Sequence, residues 1–312
     1  MKVGVLVSGP TVDAVLAAIS AADEHRVDSV WMTSGGAAPD PLTIYAAAAR
    51  EVRHVRFGTA IVQTFPRHPL ALVQQAVVID QLAPGRLRLG VGPSGPMVIG
   101  PVFGLPFERP QEHLREYVQI LRGALRDGAV DFTGKRLSAK ARLAGPTRVE
   151  VLVSALRAGA FRLAGELTDG AVSWLCPWEY LRDVALPAMA EGASRAGRER
   201  PLLVAHLPVV LTADAEAARM AFRRALGFFA RIPQYQAMWA DAGLELPADG
   251  TFSDAMVDAI VAHGDRDAVW RRLEAIASSG IDEVMVSIIT PAGVPAAHDW
   301  TLRLLGAFAA RR

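Results

Sequence analysis

Phe57-Gly58-Thr59-Ala60-Ile61-Val62-Gln63-Thr64-Phe65-Pro66-Arg67-His68-Pro69, followed by Gly85-Arg86-Leu87-Arg88-Leu89-Gly90-Val91-Gly92, is the stretch on which the fold turns. It holds two short strand-like runs, at 55–62 and 87–91, and the same unit recurs in both directions along the chain. Further runs rich in valine, leucine and isoleucine lie at 3–7, 29–33, 149–154, 171–175, 202–211 and 283–289, which makes eight in all. The segments between them have helical periodicity: Val12, Val15, Leu16 and Ile19 recur at i, i+3, i+4 and i+7, as do Leu114, Tyr117, Val118 and Leu121. Strands without strict apolar and polar alternation suit a parallel sheet buried on both faces. Eight strand and helix pairs with no break in composition predict a single α/β domain over 1–312, a (β/α)8 TIM barrel rather than an open doubly wound sheet. Its active site is expected at the C-terminal ends of the strands.

The chain of 312 residues is 51% hydrophobic, enough for one large core. Its 33 lysines and arginines nearly balance 32 aspartates and glutamates, so no strong field favours nucleic acid or an anionic membrane, and a small molecule is the expected partner. The lone Cys176 has no partner for an internal disulfide, and no apolar run is long enough to span a bilayer. The apolar start at 3–7 ends at Ser8-Gly9-Pro10, too short for a signal peptide, so a cytoplasmic location is expected by default. No His-Glu-x-x-His or cysteine-linked spacing is present, so no metal site is expected.

Two insertions interrupt the regular count. Residues 129–148, before strand 5, read as a hairpin-like excursion. Residues 228–263, between strands 7 and 8, read as a mobile lid that turns Tyr235, Met238 and Trp239 toward a substrate. Gly90-Val91-Gly92-Pro93-Ser94-Gly95 has the form of a dinucleotide-binding fingerprint, but Pro96, Pro101 and Pro106 follow it. Because proline disrupts a helix interior, the stretch 97–107 is expected to be an apolar loop and the dinucleotide fold is rejected. Met97 and Phe103 on that loop either wall a hydrophobic pocket or pack against a partner subunit. His113 and Glu116 fall in the first turns of an amphipathic helix and read as solvated or capping groups. His206, within the apolar Leu203-Val204-Ala205-His206-Leu207, reads as a satisfied core histidine or as a group facing the barrel mouth.

Several segments in order resemble the bacterial luciferase-like family, and within it an actinobacterial group of coenzyme F420-dependent oxidoreductases. Phe65-Pro66-Arg67-His68-Pro69 is similar to their Tyr-Pro-Arg-His-Pro, and 109–117 to the Arg-Pro-x-x-His-x-Arg-Glu-Tyr start of a helix. Leu163-Ala164-Gly165-Glu166 with Asp169-Gly170, and Pro233-Gln234-Tyr235-Gln236-Ala237-Met238, match further segments. The resemblance implies a non-prolyl cis peptide between Ala60 and Ile61, with Thr59, Ala60 and Ile61 forming a platform for the cofactor ring. It implies a phosphate site at Ser154, Arg157, Ala158 and Gly159, close to Ser173 and Trp174, and a homodimer.

The sequence also departs from the family. Where F420-dependent relatives carry Asp-His after strand 2, this chain has Ser34-Gly35. After strand 4, where relatives place a glutamate or histidine, it has Ser94-Gly95. A serine hydroxyl does not ionise usefully near neutral pH, so Ser34, Ser94 and His206 are the remaining candidates for catalysis. The basic residues Lys135, Arg136, Lys140 and Arg142 are either a solvated face or a dock for the polyglutamate tail of coenzyme F420. The resemblance therefore implies an F420-dependent oxidoreductase, a reductase of an apolar or conjugated small molecule. An FMN-dependent monooxygenase is the second possibility, and a barrel without redox chemistry and without a cofactor is the third.

Overall fold

The computed structural model describes residues 1–311, and all eight expected runs are strands of one closed parallel barrel. They are β1 (Lys2–Leu6), β2 (Ser29–Met32), β3 (Arg56–Thr59), β4 (Leu87–Gly92), β5 (Glu150–Ser154), β6 (Gly170–Ser173), β7 (Leu202–Leu211) and β8 (Glu283–Ile288). Each strand pairs in parallel with its sequence neighbour, and β8 returns to β1, with Val3 opposite Val284 and Val5 opposite Val286. The barrel thus has no free edge to template aggregation.

With a two-residue repeat, alternate side chains stack in layers inside the barrel. At the N-terminal end Ser29, Arg88 and Glu283 form a buried polar group, and Trp31 donates its indole N–H to Ser29 Oγ at 2.8 Å and to Glu283 Oε1 at 2.9 Å. Arg88 pairs with Glu283 and, at 2.6 Å, with Glu150. Buried ions persist only when paired and hydrogen-bonded, and this ring satisfies both conditions. Above it Trp31, Leu152, Val172, Val204 and Met285 form the apolar middle. Trp31 fits there because Gly4 and Gly58 have no side chain: a Cβ on Gly58 would lie 2.3 Å from Trp31 Cε3.

The excursion at 129–148 is an antiparallel hairpin, Ala129–Thr133 against Ser138–Arg142. Its tip is held by Glu116, whose carboxylate accepts the backbone N–H groups of Lys135, Arg136 and Leu137 at 2.8 to 2.9 Å. Burial would raise the Glu116 pKa, but those three donors outweigh it and hold the carboxyl below its usual range. The solvated reading of His113 and Glu116 is therefore wrong. Both are buried, and His113 stacks on Phe65 with ring centroids 4.1 Å apart. The helix they start, Pro110–Asp127, is covered at this end by the hairpin and by strand 3's continuation, which helical periodicity alone does not reveal.

The expected apolar loop at 97–107 is also corrected, because Pro96–Phe103 is a helix. Pro96 sits at its first position, where the missing N–H is an orphan in any case. Gly104, in the left-handed region at φ 66°, closes the other end by donating to Gly100 O at 2.9 Å. Only Pro101 lies inside the helix, where it removes a single hydrogen bond. A helix does follow the glycine-rich turn, then, and what excludes the dinucleotide fold is barrel closure rather than proline.

Candidate functional site

The C-terminal rim of the barrel is built from small residues and one aromatic stack. β3 stops at Thr59, the Ala60-Ile61 peptide is cis, and the chain resumes pairing with β4 at Val62–Gln63. Ile61 O receives the backbone N–H of Ser34 at 3.3 Å, which brings the loop after β2 against this bend. Gly92 makes the shelf continuous: a Cβ there would meet Ser154 Oγ at 2.2 Å and Ile61 Cγ1 at 3.1 Å. Ile61, Ser154 and the turn at Ser94 (φ 63°) therefore face one another across a glycine. Gln63 Nε2 lies 3.4 Å from Ser94 Oγ.

After β5 the helix Ala158–Leu167 begins at this rim. The N–H groups of Ala160 and Phe161 return to Arg157 O, and the N–H groups of Ala158 and Gly159 have no partner among the described residues. A Cβ on Gly159 would meet nothing within 4 Å, so a side chain at this position has open space. Two free N–H groups at the positive end of a helix fit a phosphate. Arg157, expected at the phosphate site, is instead paired with Asp241 of the second insertion, with Nε to Oδ2 at 2.5 Å and a second bond at 3.0 Å.

Other expected residues sort differently. Ala60 and Ile61 are at the bend, and Thr59, fully buried just before it, donates its hydroxyl hydrogen to Gly90 O at 2.8 Å. Ser173 faces out of the barrel into the core, bonded to Val204 O at 3.4 Å, and drops out of the phosphate site. Strand alternation, read correctly, puts its neighbour Trp174 inward. Met238 and Trp239 are completely buried, and the Trp239 indole donates to Leu175 O at 2.9 Å and packs edge-on to Phe252. They are core residues of the insertion and offer no surface to a substrate. That insertion consists of the helices Pro233–Asp241 and Asp254–Ile260 followed by the strand Ala262–Gly264, which extends the sheet beside β7. Two of its residues reach the rim: Phe229 lies 6.0 Å from Trp174, and Gln234 Nε2 sits over Gly95, while Tyr235 packs between Phe229 and Trp239.

His206 lies flat on Trp174, with centroids 3.7 Å apart and parallel rings, and is 2% exposed. Its Nε2 is 2.7 Å from Ser287 Oγ and its Nδ1 is 3.4 Å from the backbone N of Leu175. Both sequence readings hold in part, since the ring is satisfied and buried yet belongs to the uppermost interior layer. Burial drives its pKa down to about 3, so it is neutral over the working range. Sequence reasoning missed Ser287. Its signal was position, two residues beyond Met285 on the inward face of β8.

The Phe65-Pro66-Arg67-His68-Pro69 segment proves architectural. His68 caps the helix Pro69–Leu82 by accepting the N–H of Leu70 at 3.2 Å, and Arg67 bridges to Asp40 at 2.8 Å and Gln75 at 3.0 Å. The basic cluster is largely neutralised: Lys135 and Arg136 lie 3.5 and 3.4 Å from Glu112, and Lys140 lies 2.5 Å from Asp131. Among the described residues no group of three or more histidine, cysteine or acidic side chains could hold a metal, and no helix is long and apolar enough to cross a membrane.

A closed parallel barrel with two unpartnered N–H groups at a helix start and a shelf of small residues at its C-terminal rim defines a (β/α)8 barrel with a candidate anion site. The chain belongs to the luciferase-like monooxygenase family, whose model matches residues 2–283. It is 30% identical over 198 residues to an F420-dependent glucose-6-phosphate dehydrogenase of Nocardia farcinica, covering 57% of this chain and 58% of that one. Among solved structures it superimposes on an F420-dependent secondary alcohol dehydrogenase in complex with an F420-acetone adduct, with TM-score 0.83, 20% identity and coverage of 100% and 99%. The FMN-bound oxygenating constituent of 3,6-diketocamphane monooxygenase from Pseudomonas putida gives TM-score 0.77, 19% identity and coverage of 100% and 98%. These structural likenesses establish the fold, and the family has both F420- and FMN-dependent members.

Proposed function

We propose that this chain is a coenzyme F420-dependent oxidoreductase that reduces an apolar or conjugated small molecule. The observation that carries the reading is the juxtaposition of an open helix N-terminus at Ala158 and Gly159 with the Gly92, Ile61 and Ser154 shelf, a phosphate subsite beside a flat backbone platform. The F420-dependent relatives support the choice of cofactor. In this reading Ala158 and Gly159 hold the phosphate, the Ile61 shelf carries one ring face, and the Trp174–His206 stack closes one side. When bound, the deazaflavin supplies a hydride from C5. In this reading the protein binds, orients and excludes water, and the exposed apolar side chains Met97, Val102 and Leu105 and, from the second insertion, Phe228 are available to cover a bound ligand. The hydroxyls at the rim, Ser34, Ser94 and Ser154, are neutral at working pH, so the proton that completes a reduction comes from water.

An FMN-dependent monooxygenase is the second reading, favoured by the pairing of the basic cluster, which removes a specific reason to expect an anionic tail. Anaerobic mixing of the protein with reduced coenzyme F420 and a panel of enones and ketones tests the proposal. Reoxidation of the deazaflavin that depends on both protein and substrate is the expected result. Oxygen consumption with reduced FMN, and no turnover with reduced F420, would replace it with the second reading.

A further inference from the structure

Ser287 and His206 form a pair that neither the family resemblance nor the proposed phosphate and platform residues require. The chain leaves β6 through Leu175, a non-glycine residue in the left-handed region at φ 52°, and the only acceptor facing the Leu175 N–H among the described residues is His206 Nδ1. A hydrogen on Nδ1 would confront that N–H, so the neutral ring carries its hydrogen on Nε2. Nε2 therefore donates to Ser287 Oγ, 2.7 Å away. Stacking on Trp174 at 3.7 Å fixes the plane of the ring and with it the direction of this bond.

A serine hydroxyl has one hydrogen and two lone pairs. Because His206 occupies a lone pair, the Ser287 hydrogen is committed to another acceptor, and among the described residues none is within reach. Ser287 is half-buried on the inward face of β8, one residue pair beyond Met285 of the apolar middle layer, so that hydrogen is presented at the barrel mouth. The indole N–H of Trp174, in the same stack, is likewise buried without a partner. Two neutral donors without an acceptor among the described residues call for a ligand atom that accepts.

We propose that Ser287, oriented by His206, donates a hydrogen bond to a carbonyl oxygen in the barrel mouth, either on the cofactor's pyrimidine ring or on the substrate. The inference rests on the cofactor-binding reading above and adds to it a residue that sets ligand orientation, with His206 as its positioning residue. Its test is the carbonyl stretching frequency, by difference infrared spectroscopy, of FMN and coenzyme F420 isotopically labelled at the ring carbonyls, and of labelled cyclohexenone added to the cofactor complex. Wild type is compared with Ser287→Ala, Ser287→Thr and His206→Phe, which keeps the stack on Trp174. Loss of one neutral hydrogen bond predicts a carbonyl shifted to higher frequency in Ser287→Ala and binding weaker by about two- to tenfold, both restored in Ser287→Thr. His206→Phe gives a broadened band as the hydroxyl loses its fixed direction. A shift confined to the cofactor bands assigns the ring carbonyl, and a shift confined to cyclohexenone assigns the substrate. Cofactor bound with every carbonyl band unchanged in Ser287→Ala overturns the inference and leaves the cofactor reading standing. Failure of wild type to bind either cofactor overturns both.

Discussion

At the scale of single residues, glycine and serine do most of the shaping, and they do so by what they leave out. Gly58 and Gly4 admit Trp31 to the barrel axis, and Gly92 admits Ser154 to the rim. Gly58→Ala places a methyl within 2.3 Å of the buried indole. Overpacking of this kind costs about 1–3 kcal/mol, so urea unfolding should show a lower midpoint at unchanged slope; a midpoint equal to wild type would mean that Trp31 has room to move. Gly159 has open space instead. Gly159→Glu is therefore expected to fold normally and to weaken FMN or F420 binding at least tenfold, by placing a carboxylate before the phosphate donors. Isothermal titration with unchanged affinity would move the phosphate elsewhere. These roles were only partly legible in sequence. Gly159 was marked by its place after strand 5, whereas Ser173 was misassigned because a hydroxyl near a site says nothing of which way it points.

At the scale of elements, the helix Pro233–Asp241 is where the sequence misled most. Its aromatic residues suggested a lid facing a substrate, yet Met238 and Trp239 complete the core, while Gln234 and, just before the helix, Phe229 approach the rim. Amphipathic spacing tells that one face of a helix is buried, and it does not tell against what. Asp241 ties this helix to Arg157 at the start of Ala158–Leu167. Asp241→Asn removes a negative charge beside the anion donors and frees the guanidinium, so inorganic phosphate and FMN should bind a few-fold more tightly, with the gain shrinking as salt rises. Weaker binding in Asp241→Asn would show that the ion pair is needed to hold the helix start in place. The barrel strands were legible because eight apolar runs alternating with helical segments admit few arrangements. The helix Pro96–Phe103 was not, because prolines read as breakers also serve at a first turn.

At the scale of the whole molecule, two polar groups inside the barrel govern its stability. Arg88 and Glu283 are both buried and paired. Arg88→Met leaves Glu283 without its cation, and breaking a buried pair this way costs about 3–5 kcal/mol; thermal unfolding within a degree of wild type would show that Ser29 and Trp31 suffice. His206 gives the stability a pH dependence. Its folded pKa, about 3, lies below the unfolded value of ~6.5. The unfolded state therefore binds the extra proton between those values, and the contribution is complete above the unfolded pKa and lost as pH falls from ~6.5 toward 3. Unfolding free energy should fall through that acid range in wild type and fall less steeply in His206→Asn, and identical acid limbs would contradict the assignment.

The central claim is that the rim binds a phosphate-bearing deazaflavin. Titration of the purified protein with coenzyme F420 and with FMN, followed by absorbance and fluorescence and repeated for Gly159→Glu, tests it most directly. Saturable binding of coenzyme F420 that Gly159→Glu weakens at least tenfold is the predicted result. A cooperatively melting protein that binds neither molecule, or that binds FMN alone, would contradict it.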